Sequence, residues 1–213
     1  MNHPPSRVID RVAPIVAILA IAITAAVSLK SLWPATARGG GPASFSAERA
    51  TAHVEALAAG PRPAGSAAHR DAREYIVTTL RESAGLEAET RTVAATSTRY
   101  GVPYDAARVR NVVATIPGND PSRRIVLTAH YDTVLTSPGA GDDAAGVATL
   151  LEAGRALAVE YGGAPEVTLL FTDAEEVGAV GAEAFLASGN LDPARTTVLN
   201  FDARGTGGPC ALI

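Results

Sequence analysis

A chain of 213 residues with 47% hydrophobic and 19% charged side chains can bury one core and carry a short appendage, and is too apolar to be disordered. Its formal net charge of −4, with no basic stripe, excludes the electrostatic footprint of a nucleic-acid partner. A single cysteine, Cys210, excludes an intrachain disulfide and thiolate-rich zinc motifs, so any metal must be held by carboxylates and by His3, His53, His69 or His130.

Residues 12–29 form an uncharged apolar run, and Ser31, Leu32 and Trp33 extend it to the length of a bilayer-spanning helix. The sequence therefore predicts a cytoplasmic N-terminus at 1–11, a transmembrane anchor at 12–33, a linker at 34–44 and a folded domain at 45–213 that is extracytoplasmic or luminal. A cleaved signal peptide ending near the A-x-A-like residues 35–37 is the competing reading, for which the apolar run is long.

Ser46 is a natural N-cap for a helix to Ala59, with Ala50, Val54 and Leu57 on one face. G-P-R-P-A-G-S at 60–66 reads as a rigid turn before a second helix, 67–83, striped by Ala72, Ile76 and Leu80 and stopped by Gly85. His53 and His69 on these helices read as packed or surface histidines. Extended strands are expected at 87–98 and 110–116, then short apolar strands at 125–129, 167–172 and 197–201 alternating with helices at 143–161 and 182–187.

Near-continuous apolar strands alternating with helices imply an α/β fold: a mixed, largely parallel sheet covered by helices on both faces. Ligand sites in such sheets lie at the carboxyl ends of the strands, where His130, Glu175, Glu176 and Asp202 fall. Asp142 is expected at the start of the long helix, where the helix N-terminus favours negative charge. Carboxylates gathered this closely repel one another unless cations neutralise them. Asp132, two residues beyond His130 on an extended segment, points to the same side and can accept the second ring N–H of His130.

In order and spacing, H-Y-D at 130–132, G-D-D-A-A-G at 141–146, A-E-E-V-G at 174–178 and N-F-D at 200–202 resemble the M28 family of zinc peptidases. The apolar N-terminal run, F-S-A-E-R-A at 45–50 and G-P-R-P-A-G-S resemble its membrane-bound, endoplasmic-reticulum-type branch. The resemblance implies a metal-dependent exopeptidase, in particular an aminopeptidase, that hydrolyses peptide substrates with water activated by two Zn2+. It implies that Asp142 bridges the metals, His130 and Asp202 complete one site, Glu176 serves the other, and Glu175 is the general base. Asp143 caps the helix or supports the bridge, Asp173 reads as a turn acid, and Arg204 as a loop residue near the substrate.

One departure stands out: the family's second histidine ligand has no counterpart after His130. The expectation is a fragment of a longer protein, its sheet incomplete at the C-terminus. Competing readings are an M20-type amidohydrolase or carboxypeptidase, glutaminyl-cyclase-like acyl transfer on one zinc, and a receptor-like ectodomain that kept the fold without the chemistry.

Overall fold

A computed structural model of the chain describes residues 7–31, 41–99, 102–161, 165–189 and 191–203. Residues 1–6, most of the expected linker, Arg204 and Cys210 lie outside the described residues. The chain divides into two units, residues 1–36 with 205–213, and residues 37–204. In the first, α1 (Arg7–Ser31) is a helix of 25 residues. Every side chain described on it, from 12 to 28, is exposed, including Ile15, Ile18, Ile21 and Ile23. The Thr24 hydroxyl bonds back to the Ala20 carbonyl at 2.8 Å, satisfying a polar group within the helix itself. Among the described residues no helix is long and apolar enough to cross a membrane.

In the second unit, α2 (Ala47–Leu57) begins as its sequence predicts, because the Ser46 hydroxyl accepts the Arg49 N–H. The Ser66 hydroxyl does the same for His69 at the start of α3 (Ala67–Ala84). Gly85 ends α3 in the left-handed region, φ 62°, so that its N–H and that of Leu86 close on the Arg81 and Leu80 carbonyls.

A five-stranded sheet follows, built from β1 (Ala88–Arg99), β2 (Val102–Ile116), β3 (Asp120–His130), β4 (Pro165–Thr172) and β5 (Thr196–Asn200). Its order is β1-β2-β4-β3-β5. The sheet is mixed, as expected, but only β4–β3 and β3–β5 are parallel; β1–β2 and β2–β4 are antiparallel, which corrects the largely parallel expectation. β2 begins at Val102 rather than Arg110. Its first half lacks apolar alternation and is drawn into the sheet by pairing with β1, for example Ala106 with Thr96 and Val109 with Val93.

Alternation along the strands divides the core between two faces. Val112, Ala114, Leu127, Ala129, Leu169 and Phe171 pack with Ile76 and Leu80 of α3 and with Val147, Leu150 and Leu151 of α4 (Ala145–Glu160). Val113, Val126 and Leu170 face the other way, onto Phe185 of α5 (Val180–Ala187). The expected helix at 143–161 begins later, at Ala145. A turn over Ala140–Ala144 precedes it, in which Asp142 (φ −128°, ψ 90°) and Asp143 (φ −130°, ψ 43°) are not helical, so neither belongs to the first helical turn.

Glu152 on α4, its side chain fully buried, ties α2 to this face. It accepts the Ser46 N–H at 2.8 Å and bonds to Arg49 and Arg155. Burial alone would raise its pKa, but the donors of Arg155, Arg49 and Ser46 outweigh it and hold the carboxyl at about 2, below its ordinary 4.5. The unfolded chain therefore binds the proton first as pH falls. The stabilisation is complete above pH 4.5 and is lost as pH falls from there toward 2. Glu152→Gln should cost about 2 kcal/mol at pH 7, and the gap in Tm to the unmutated protein should narrow steadily between pH 5 and pH 3, as followed by thermal unfolding.

Candidate metal centre

Parallel register brings the candidate residues to one end of the sheet. His130 pairs with Thr172 and Thr128 with Asn200, so β3, β4 and β5 end together and the segments that follow them converge. The described residues contain two groups able to hold a metal, and both include His130: one with Asp142 and Asp202, the other with Glu175 and Glu176. Within each group the donor atoms lie within 4.8 Å of one another. Asp142 Oδ1 is 2.9 Å and Asp202 Oδ1 3.7 Å from His130 Nε2.

His130 is buried, whereas Asp142 and Asp202 are exposed and the two glutamates half-buried, so the imidazole forms the floor of a cluster open to solvent. Glu175 and Glu176 do not continue β4 with side chains on alternate sides. They sit in a turn entered through Ala174 in the left-handed region, φ 57°, and both carboxylates thereby reach the same histidine.

The backbone is arranged to receive the acids. Asp132, with no exposed surface, accepts the N–H groups of Glu175 and Glu176 at 3.0 and 3.1 Å. Its Oδ1 also lies 3.4 Å from His130 Nδ1, near enough for charge attraction but not aligned as a full hydrogen bond. Asp143 links the start of α4 to His130. One oxygen accepts the Gly146 N–H at 3.0 Å at the start of α4, and the other accepts the His130 N–H at 3.2 Å.

Burial lowers the pKa of His130, but Asp132, Asp143 and Glu175 outweigh it and raise it to about 10. Burial pushes the Asp143 carboxyl up to about 8, and pushes Glu175 and Glu176 above the ordinary carboxylate range, with the neighbouring acids adding to both. Asp132 moves the other way: burial is overcome by His130 and by the two backbone N–H donors. A positive charge beside these acids would oppose the repulsion that raises Glu175 and Glu176. One imidazole nitrogen amid four carboxylates is a donor set that suits zinc.

Three residues beside the centre take partners that their local sequence does not indicate. His69 is buried, stacked on Tyr131 with centroids 4.6 Å apart, and its Nε2 lies 2.9 Å from Asp173 Oδ1. Asp173 is accordingly no turn acid in solvent: it is 2% exposed and its other oxygen accepts the Arg110 N–H. Asn111 accepts the Asp173 N–H and donates to the Gly181 carbonyl, fixing the entry to the glutamate turn. Only the apolar setting of Asp173, straight after a buried strand, hinted at this role. His53, by contrast, is partly packed against the Tyr75 hydroxyl at 2.7 Å, as expected.

Residues 111–213 match the model of Peptidase family M28. The vacuolar membrane protease of Lachancea thermotolerans is 39% identical over 106 residues, which cover 48% of this chain and 10% of that protein. Leucine aminopeptidase 1 of Ajellomyces capsulatus is 34% identical over 131 residues, 56% of this chain and 31% of that protein. The chain thus spans less than a third of either relative. Among solved structures, glutaminyl cyclase from Porphyromonas gingivalis superposes with a TM-score of 0.62 at 27% identity, over 76% of this chain and 60% of its own. A Zn-dependent exopeptidase from Parabacteroides distasonis does so with a TM-score of 0.58 at 25% identity, over 74% and 62%. The motifs at the strand ends, the mixed sheet that gathers them and these matches agree: residues 111–213 resemble Peptidase family M28.

Proposed function

We propose that the protein is a zinc-dependent exopeptidase, an aminopeptidase, acting on peptide substrates. The observation that carries this reading is one buried imidazole, His130, grouped with Asp142 and Asp202 and again with Glu175 and Glu176, the donor atoms of each group lying within 4.8 Å of one another. Similarity to leucine aminopeptidase 1 and to a Zn-dependent exopeptidase supports it. His130, Asp142 and Asp202 would hold one zinc; Glu176, with Asp142, would serve a second.

Bound zinc supplies a Lewis acid for the scissile carbonyl and acidifies a water toward a pKa of ~7. Asp132 attracts the Nδ1 side of His130 and leaves Nε2 facing Asp142 and Asp202. Glu175 is the general base. Its raised pKa, caused by burial and by neighbouring acids, suits it to take a proton from the attacking water and pass it to the leaving amine as the C–N bond breaks. Asp132 holds that base in place through the Glu175 N–H.

Similarity to glutaminyl cyclase favours a second reading, acyl transfer on the single group of His130, Asp142 and Asp202. Release of an N-terminal amino acid from a short peptide distinguishes hydrolysis from cyclisation of an N-terminal glutamine, which releases ammonia instead.

We further propose that residues 12–33 anchor the protein in a membrane, with the folded domain extracytoplasmic or luminal. The all-round exposure of apolar side chains on α1, and the continuation of the apolar run through Leu29, Leu32 and Trp33, support this.

Three outcomes are expected of the full-length protein. Glu175→Gln should keep its zinc and lose activity by about a hundredfold or more; unchanged turnover would remove Glu175 as the base. His130→Ala should bind less zinc per chain by elemental analysis, and full stoichiometry would contradict its place as a ligand. The protein should resist carbonate extraction from membranes and become extractable once residues 1–33 are deleted; release of the intact chain by carbonate would overturn the anchor.

A further inference from the structure

Arg62, in the G-P-R-P turn, is 1% exposed, and its guanidinium bonds no carboxylate among the described residues. Its acceptors are backbone carbonyls. Nε donates to Tyr131 O at 2.8 Å, Nη1 to Pro138 O at 2.6 Å and Leu57 O at 3.2 Å, and Nη2 to Gly139 O at 3.2 Å. Its own backbone N–H donates to the Thr133 hydroxyl at 2.9 Å.

These contacts are not scattered. Tyr131 lies between His130 and Asp132, and the Gly139 carbonyl also accepts the Ala144 N–H that closes the turn carrying Asp142. One rigid fork thus grips both ends of the loop that separates His130 from Asp142. The charges that act on the guanidinium against its burial are those of Asp143, Asp132 and Asp142.

We infer that Arg62 is a positioning residue for the metal centre: it sets the spacing of His130 and Asp142 by clamping the loop between them, and its charge offsets part of the acid cluster. This rests on the metal reading above. A lysine would keep the charge but not the planar array of donors that reaches four carbonyls at once. The role therefore belongs to the fork and not to the charge alone.

The test uses the full-length protein. In Arg62→Lys the Kd for zinc should rise about tenfold or more, the scale seen when groups that orient metal ligands are lost. The visible spectrum of the cobalt-substituted protein should change shape as the ligand geometry relaxes. Thr133→Val, which removes only the hydroxyl that holds the Arg62 backbone, should move both readings in the same direction by a smaller amount, and it decides the matter alone if Arg62→Lys does not fold. Variants that fold by circular dichroism yet keep the unmutated Kd and cobalt spectrum, whatever their Tm, would overturn the inference. Failure of the unmutated protein to take up zinc would instead overturn the metal reading.

Discussion

Repulsion among carboxylates crowded around one imidazole is the constraint that organises this fold. Asp132, Asp142, Asp143, Glu175, Glu176 and Asp202 meet at His130, and charges crowded this closely repel one another unless they are compensated. The chain meets that demand with donors fixed by the backbone. Asp132 accepts two N–H groups from the glutamate turn, Asp143 accepts one from His130 and one from α4, and Asp173 accepts from Arg110. Each of these is a main-chain donor, which side-chain motion cannot withdraw.

The parallel part of the sheet makes the gathering possible. Three adjacent strands that end together place three loops within reach of one another, and each loop delivers its acids from a rigid base. The antiparallel hairpin of β1 and β2 adds support rather than ligands: Asn111 and the Arg110 N–H on β2 lock Asp173 at the entry to the glutamate turn. Chemistry and stability are thus divided. Glu152 and its arginines secure α2 against α4 through ion pairs of their own, distinct from those of His130.

Much of the architecture was legible because local signals agreed with the tertiary result. Ser46, Ser66 and Gly85 mark helix ends by hydrogen bonds that involve only neighbouring residues, so they fall where the sequence puts them. The first half of β2 was not legible, since what makes it a strand is its partner and not its own apolar pattern. The start of α4 was misplaced because Asp142 and Asp143, ordinary first-turn residues by composition, are turned out of the helix to face His130 and the α4 N–H groups. Arg62 was passed over, and His69 was read only as a packed or surface histidine, for a common reason. Their partners lie some seventy and a hundred residues away in sequence, and a buried arginine bonded to carbonyls leaves no pattern in its neighbours.

By itself the sequence determined which residue types stand at the strand ends, hence an acid-rich centre around one histidine and the resemblance to Peptidase family M28. It could do so because the motifs are contiguous and each follows its own strand. The tertiary structure alone decided which acids share His130, that both glutamates turn toward it through a left-handed Ala174, and that Arg62, His69 and Asp173 stand behind the centre. Those outcomes depend on strand register and loop closure, interactions between residues far apart in the chain, and no local pattern encodes them.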